Sequence, residues 1–263
     1  MHLILTGATG LVGSGVLDAM IKMKEVTKIS ILSRRPVAMA EAANDPRINV
    51  VLNSDFEKYD PAVLSQLKGA QGCVWALGIS QTQVGKEDYI NITKTFALEA
   101  AKAFQGLAPS DSKEPFNFVY VSGAGATTEP GRFSSLFARV KGETELALAA
   151  MRNNNNRNPH QGFHALSMRP AGVDGSAHEA IRPYLPTPPL PLRLMAPVLL
   201  PAMRNLTPRF HSPTEPMGRF LTELAMGLHA EQVRGAEGKG VQMVGELPIV
   251  ENAVFRKIAK LDS

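Results

Sequence analysis

The chain has one cysteine, Cys73, among 263 residues. That excludes an internal disulfide framework and suits a reducing compartment. Its setting, "GCVWALG", is apolar, so the thiol reads as a core group rather than a nucleophile. Charge is nowhere concentrated: 28 Lys and Arg against 24 Asp and Glu leave a net +4. No basic run exceeds Arg34-Arg35 or the looser Lys22-Met23-Lys24, so the continuous cationic footprint of a nucleic-acid binder is missing and no nucleic-acid partner is expected. No apolar run reads as a transmembrane helix; the most apolar late stretch, "LPLRLMAPVLLPAM", is interrupted by Arg193, Pro197 and Pro201. The first residues lack the charged start and long apolar region of a leader peptide. A cytoplasmic protein is expected, with peripheral contact to an organelle membrane left open. The six histidines, His2, His160, His164, His178, His211 and His229, show no paired spacing with each other or with Cys73, so no metal site is expected. Tyrosines are scarce: Tyr59, Tyr89, Tyr120 and Tyr184, none of them between Val121 and Pro183.

A 44% hydrophobic composition is enough for a sizeable core. The first two-thirds alternates short β-type runs with helical patterns, which predicts a parallel sheet covered on both faces. The strands are "HLILTG", "KISILSRR", "INVVLNSDF", "GCVWALG", "FNFVYVSG" and "FHALSMRPAG". Helices are expected over "LVGSGVLDAMIKM", from Lys86 to Phe104 and from Gly131 to Met151. "RNNNNRNPHQG" reads as an exposed loop, and prolines crowd from Arg182 to Pro216. A helix near Glu215 to Leu228, a strand "GVQMVG" and a helix from Pro248 to Lys260 complete the reading. The expected fold is α/β: a Rossmann doubly wound parallel sheet over residues 1–175, with a small C-terminal substrate-cleft lobe over 176–263 packed on the same domain.

"TGATGLVGSGV" sets Gly7, Gly10 and Gly13 between the first strand and helix. A tight turn needs Gly7, close approach of a pyrophosphate needs Gly10, and helix-strand packing needs Gly13. With Thr9, Leu11 and Val12 they offer backbone N–H groups and a helix N-terminus to phosphates. After strand two, Ser33-Arg34-Arg35 stands where an acidic residue would accept bonds from a ribose 2′-hydroxyl. A guanidinium there suits a 2′-phosphate, so NADP(H) is favoured over NAD(H).

With these features the chain resembles the extended and atypical short-chain dehydrogenase/reductase superfamily of NAD(P)-binding Rossmann proteins, most of all its TIP30-like (HTATIP2-like) branch, with likeness also to NmrA-like and epimerase-like members. The resemblance runs from Met1 to about Gly175. It implies adenine contacts at Asp55-Phe56 and passage of the adenosine ribose along Ala76-Leu77-Gly78. It also implies a helix-four asparagine at Asn91, a substrate-carbonyl hydroxyl at Ser122, and a segment flanking the nicotinamide at Pro170 and Gly172, with Ala171 where glycine is usual. The family's Tyr-x-x-x-Lys pair falls on Phe137-Ala138-Arg139-Val140-Lys141. The lysine fits as the ribose contact; the phenol is replaced by a benzyl group, and the four tyrosines leave no shift of alignment that restores it.

Two readings stay open. In one, the protein is an NADP(H)-dependent oxidoreductase for a small, fairly apolar carbonyl or hydroxyl compound, with Ser122, Lys141 and Asn91 at the reacting end. In the other, it is a regulator that senses NADP(H) or binds a partner, or an isomerase running redox-neutral chemistry in the same cleft. Lys141 as the acid, Tyr89 or Tyr184 reaching the cleft, and Ser134 or Ser135 pointing into it are weighed against ribose binding, packing and helix capping. Met195 and Met203 line either the cleft or the C-terminal lobe. A homodimer would pair through the helices near 86–104 and 131–151.

Overall fold

The computed structural model describes residues 1–108, 114–155, 162–185, 187, 195 and 207–262. Within each early strand, alternate side chains enter opposite layers. Leu3 and Leu5 of β1 (His2–Thr6) join one core cluster, Ile4 the other. Parallel strands covered on both faces have this property, and the near-continuous apolar runs of β2 (Lys28–Ser33), β4 (Gly72–Trp75) and β5 (Phe116–Val121) express it. With β3 (Ile48–Leu52), β6 (Phe163–Arg169), β9 (Val241–Val244) and β10 (Leu247–Glu251), they form an eight-stranded sheet in the order β3-β2-β1-β4-β5-β6-β10-β9. Every pairing in that sheet is parallel except β10 with β9. A two-stranded parallel pair, β7 (Gly172–Asp174) with β8 (His211–Pro213), lies beside it. The fold is α/β and Rossmann-like, and its strand order reverses between β1 and β4, where such sheets open a crevice at their carboxyl ends.

One face carries α1 (Leu11–Lys22) and α7 (Thr214–Ala225). They cross with almost no separation: a Cβ on Gly218 would lie 2.1 Å from the Gly15 carbonyl oxygen. The opposite face carries α4 (Lys86–Ile90), a π-helical turn (Asn91–Thr95), α5 (Phe96–Phe104) and α6 (Leu136–Asn155). The helix expected over Lys86 to Phe104 therefore contains one wide turn, and the Tyr120 hydroxyl donates to its Thr93 carbonyl at 3.2 Å. Trp75, Phe118 and Cys73 are fully buried on this face, and burial pushes the Cys73 thiol well up.

Several boundaries differ from the sequence reading. The helix expected from Gly131 starts at Leu136, because the Ser135 hydroxyl caps it by accepting the Ala138 N–H at 3.1 Å. It runs on to Asn155, into the stretch read as loop. The helix expected from Pro248 is a strand as far as Glu251, paired with β6 and β9; α9 (Asn252–Ile258) follows it. Short helices α2 (Ala38–Ala43), α3 (Pro61–Leu67) and α8 (Ala230–Gly235) were not expected. Among the described residues, no helix is long and apolar enough to cross a membrane. Most of the proline-rich segment, Met203 and His160 lie outside the described residues.

Candidate functional site

The glycine turn is built as its spacing predicts. Gly7 has φ +73°, and a Cβ there would lie 2.4 Å from the Ala76 carbonyl oxygen. A Cβ on Gly13 would lie 2.0 Å from the Gly7 carbonyl oxygen, so helix α1 touches the turn through bare backbone. Gly10, the N-cap, offers no side-chain cap, and no acidic residue occupies the first turn. The N–H groups of Leu11, Val12 and Gly13 precede the first intrahelical acceptor and are left for an anion. The Ser14 hydroxyl fastens the turn from behind, donating to the carbonyls of Ala8 at 3.1 Å and Gly10 at 2.8 Å. No part of the sequence reading singled out Ser14.

Beyond the turn lies a cleft of about 400 Å³ lined by Gly7, Ala8, Thr9, Leu32, Ser33, Arg34, Arg35, Phe56 and Leu77. Arg34 and Arg35 are both exposed at its rim, and among the described residues neither has an ion-pair partner. The Ser33 hydroxyl donates to the Arg35 carbonyl at 2.7 Å, which holds the rim in a tight turn. Phe56 forms the floor, stacked on Phe96 at 5.9 Å and edge-on to Trp75 at 6.0 Å. Asp55 is exposed, and its carboxylate accepts the Glu57 N–H at 2.8 Å. Leu77 donates its N–H to the Thr6 hydroxyl at 3.3 Å, which ties the Ala76-Leu77-Gly78 segment to the end of β1. The turn thus excludes Cβ atoms at Gly7 and Gly13 and presents open backbone N–H groups, and two arginines without an ion-pair partner among the described residues stand at the rim of the cleft.

At the carboxyl end of β5, two strands from β1 in the sheet, stand Ser122 and, from α6, Phe137 and Lys141. Ser122 follows β5 and is 7% exposed; its hydroxyl has no hydrogen-bond partner among the described residues. Such an orphaned group costs stability unless a ligand satisfies it. Lys141 is 8% exposed, donates to the Val121 carbonyl at 2.9 Å, and lies 4.8 Å from the centre of the Tyr120 ring. Burial lowers its pKa to about 8, against an opposing pull from Glu145. Glu145 is fully buried, one turn further along α6. It accepts from Arg169 at 2.5 Å and 3.0 Å and from the Ser167 hydroxyl at 2.8 Å, so its charge is compensated. Arg169 thus turns into the core beneath the site, while Pro170 accepts the Ala124 N–H at 2.8 Å and Gly172 opens β7.

Phe137 is half-buried, with its ring over Gly123 and its N–H donated to Gln81 Oε1 at 2.9 Å. Gln81 carried no signal in the sequence, yet it ties the segment after β4 to the start of α6. Asn91 does not join this group through its side chain, which donates to Glu57. Tyr89 is buried, and Tyr184 packs against the α1-side core. Ser134 accepts the Gly131 N–H at 2.9 Å, so both serines serve the turn and the cap. Away from the cleft, Asp18, His178 and Glu215 converge from separate segments. The Lys22 ammonium already stands among them, 2.7 Å from Asp18 and 3.3 Å from Glu215.

No protein-family model matches the chain. It is 44% identical over 165 residues to botcinic acid biosynthesis cluster B protein 16 of Botryotinia fuckeliana, covering 63% of this chain and 99% of that protein. It is 33% identical over 261 residues to leucinostatins biosynthesis cluster protein T of Purpureocillium lilacinum, covering 94% of this chain and 90% of the relative. Among solved structures, a short-chain type dehydrogenase/reductase from Mycobacterium ulcerans superposes with a TM-score of 0.62 at 17% identity, over 97% of this chain and 89% of that one.

Proposed function

The chain belongs to the family of leucinostatins biosynthesis cluster protein T and has the fold of short-chain dehydrogenase/reductases, and we propose that it is an NADP(H)-dependent oxidoreductase of that superfamily acting on a small, fairly apolar organic compound. The observation that carries this reading is the pairing of two elements at the carboxyl ends of the sheet's central strands: a backbone cradle rimmed by Arg34 and Arg35, which have no ion-pair partner among the described residues, and a Ser122 hydroxyl, likewise without a described partner, on the strand whose Val121 carbonyl binds a buried lysine. A bound nicotinamide dinucleotide would supply or accept the hydride. Leu11, Val12 and Gly13 would hold the diphosphate by backbone N–H groups, and Arg34 with Arg35 the 2′-phosphate. Phe56 and Leu77 would enclose the adenosine, with Pro170 and Gly172 beside the nicotinamide. Lys141 has spare N–H donors for the ribose, and Ser122 orients the substrate oxygen. Two relatives are named for biosynthetic clusters, which supports a small-molecule substrate.

Phe137 favours a second reading, in which the dinucleotide is sensed and not turned over, since a positioned acid is worth about 10²–10⁴ in rate. One experiment separates the two: NADPH absorbance is followed against a panel of simple and conjugated carbonyl compounds, for wild type, Phe137→Tyr and Lys141→Ala. Turnover by wild type that is lost in Lys141→Ala supports the oxidoreductase. An inert wild type that gains activity in Phe137→Tyr supports the sensor.

A further inference from the structure

Resting on the oxidoreductase reading, we infer that the substrate is an α,β-unsaturated carbonyl compound, reduced across its carbon–carbon double bond while Ser122 and Lys141 hold the enolate oxygen. The inference begins from the missing proton. Hydride addition to a simple carbonyl carbon leaves an alkoxide, a strong base that must be protonated as it forms. Among the described residues no phenol hydroxyl is hydrogen-bonded to Ser122 or Lys141: Phe137 presents a ring carbon to Gly123, Tyr59, Tyr89 and Tyr120 pack in the core, and Tyr184 packs against the cluster that holds α1.

Hydride addition to the β-carbon of a conjugated carbonyl has a different requirement. The π electrons of the carbon–carbon bond move toward oxygen, and the product is an enolate whose charge is spread over oxygen and the α-carbon. This far weaker base needs a hydrogen bond and a positive field rather than a strong acid in the hydride step. The cleft offers both. The Ser122 hydroxyl is buried without a partner among the described residues, and the Lys141 ammonium is anchored on the carbonyl of the adjoining Val121. Arg169 and Ser167 absorb the charge of Glu145, so the lysine field is not cancelled from below.

An iminium acceptor would likewise need no acid, but the lysine charge opposes a cation at that place. The balance is complete with a reduced nicotinamide dinucleotide as the reductant. Its hydride would form the new C–H bond at the β-carbon as the C–H bond to the nicotinamide breaks, a proton drawn from solvent water would add at the α-carbon and leave hydroxide to the buffer, and the products would be the saturated carbonyl compound and the oxidised dinucleotide. Lys141 and Ser122 end the cycle with their protons.

The test uses the whole chain with NADPH carrying deuterium at the transferred position, and the pair benzylideneacetone and benzylacetone. Consumption of benzylideneacetone with deuterium at the β-carbon, and no reaction of benzylacetone, is the expected result. Reduction of benzylacetone, or deuterium on a carbonyl carbon, would overturn the inference and leave the oxidoreductase reading standing. Bound NADPH with neither compound turned over would overturn both. Tyr184→Phe should leave the rate within about twofold; a loss of about 100-fold would reveal a phenol acid and sink the inference. A readout independent of turnover is the absorbance of para-nitrophenol, an enolate mimic, bound to the free protein. It should ionise about one pH unit lower than in solution, and Lys141→Met should abolish that shift. A mimic bound as the neutral phenol contradicts the proposal.

Discussion

The ring of Phe137 presses end-on against Gly123, so that a Cβ on the glycine would lie 2.8 Å from the ring's terminal carbon. The two residues come from α6 and from the segment after β5, and their contact closes the cleft where a phenol oxygen would project. Gly123→Ala should force the ring aside and cost about 1–3 kcal/mol, read as a lowered urea midpoint. A midpoint equal to wild type would mean that the ring yields freely and the contact is slack.

A harsher test of packing is Gly218→Ala. Its methyl group would meet backbone, the Gly15 carbonyl oxygen at 2.1 Å, and neither helix can rotate a side chain out of the way. A loss of about 2 kcal/mol or more is expected in chemical denaturation. A neutral outcome would show that α1 and α7 separate easily.

Dinucleotide choice should rest on the strand-two arginines. Replacing Arg34 and Arg35 with alanine should raise the NADPH dissociation constant about tenfold or more, about 1.4 kcal/mol, and leave NADH affinity nearly unchanged. Calorimetric titration measures both. A wild type that binds NADH tenfold more tightly than NADPH would refute the assignment of the arginines.

Acid should destabilise the protein through two imidazoles, the buried His2 and the half-buried His164. Burial, Lys28 and the amino terminus lower the pKa of His2 to about 4; burial and Arg152 do the same for His164. The unfolded chain takes up these protons near the ordinary value of about 6.5 and the folded one resists them. Stability is therefore intact above that range and drains away as pH falls from about 6.5 toward 4. Thermal melts of wild type and of His164→Asn across this window should show a shallower decline in the variant. Parallel curves would mean that His164 is not held neutral.

Lys141 carries the opposite liability. Its folded pKa of about 8 lies below that of the unfolded chain, so between these values the unfolded chain binds more protons and stability rises with pH. The cost of burying the ammonium is fully present at pH 7 and is relieved as pH climbs beyond about 8. Lys141→Met should therefore gain most over wild type at pH 7, with the gap closing by pH 10 in denaturant titrations. A gap independent of pH would place the lysine in water.

Much of this was legible because it is local. "HLILTG" followed by "ATGLVGSG" specifies a strand, a positive-φ glycine and an open helix end within about a dozen residues, and the βα alternation specifies a parallel sheet covered on both faces. The absence of a tyrosine four residues before Lys141 needed nothing more than a reading of where the four tyrosines fall. Other features depend on partners far along the chain. "LPIVE" is apolar in a way that fits helix or strand, and only its seat between β6 and β9 makes it β10. Asn91 looked like a member of the reacting group, but Glu57, 34 positions away, takes its side chain.

Sequence alone, then, determined the backbone cradle, the cations at its rim and the loss of the phenol, since each depends on residue type within one or two turns of chain. Tertiary structure decided the rest. It left Ser122 without a partner among the described residues, lodged Lys141 on the Val121 carbonyl, shielded Glu145 with Arg169, and set Gly15 against Gly218. The physical reason is that burial and pairing are properties of what surrounds a group, and the surroundings here are assembled from strands and helices distant in the chain.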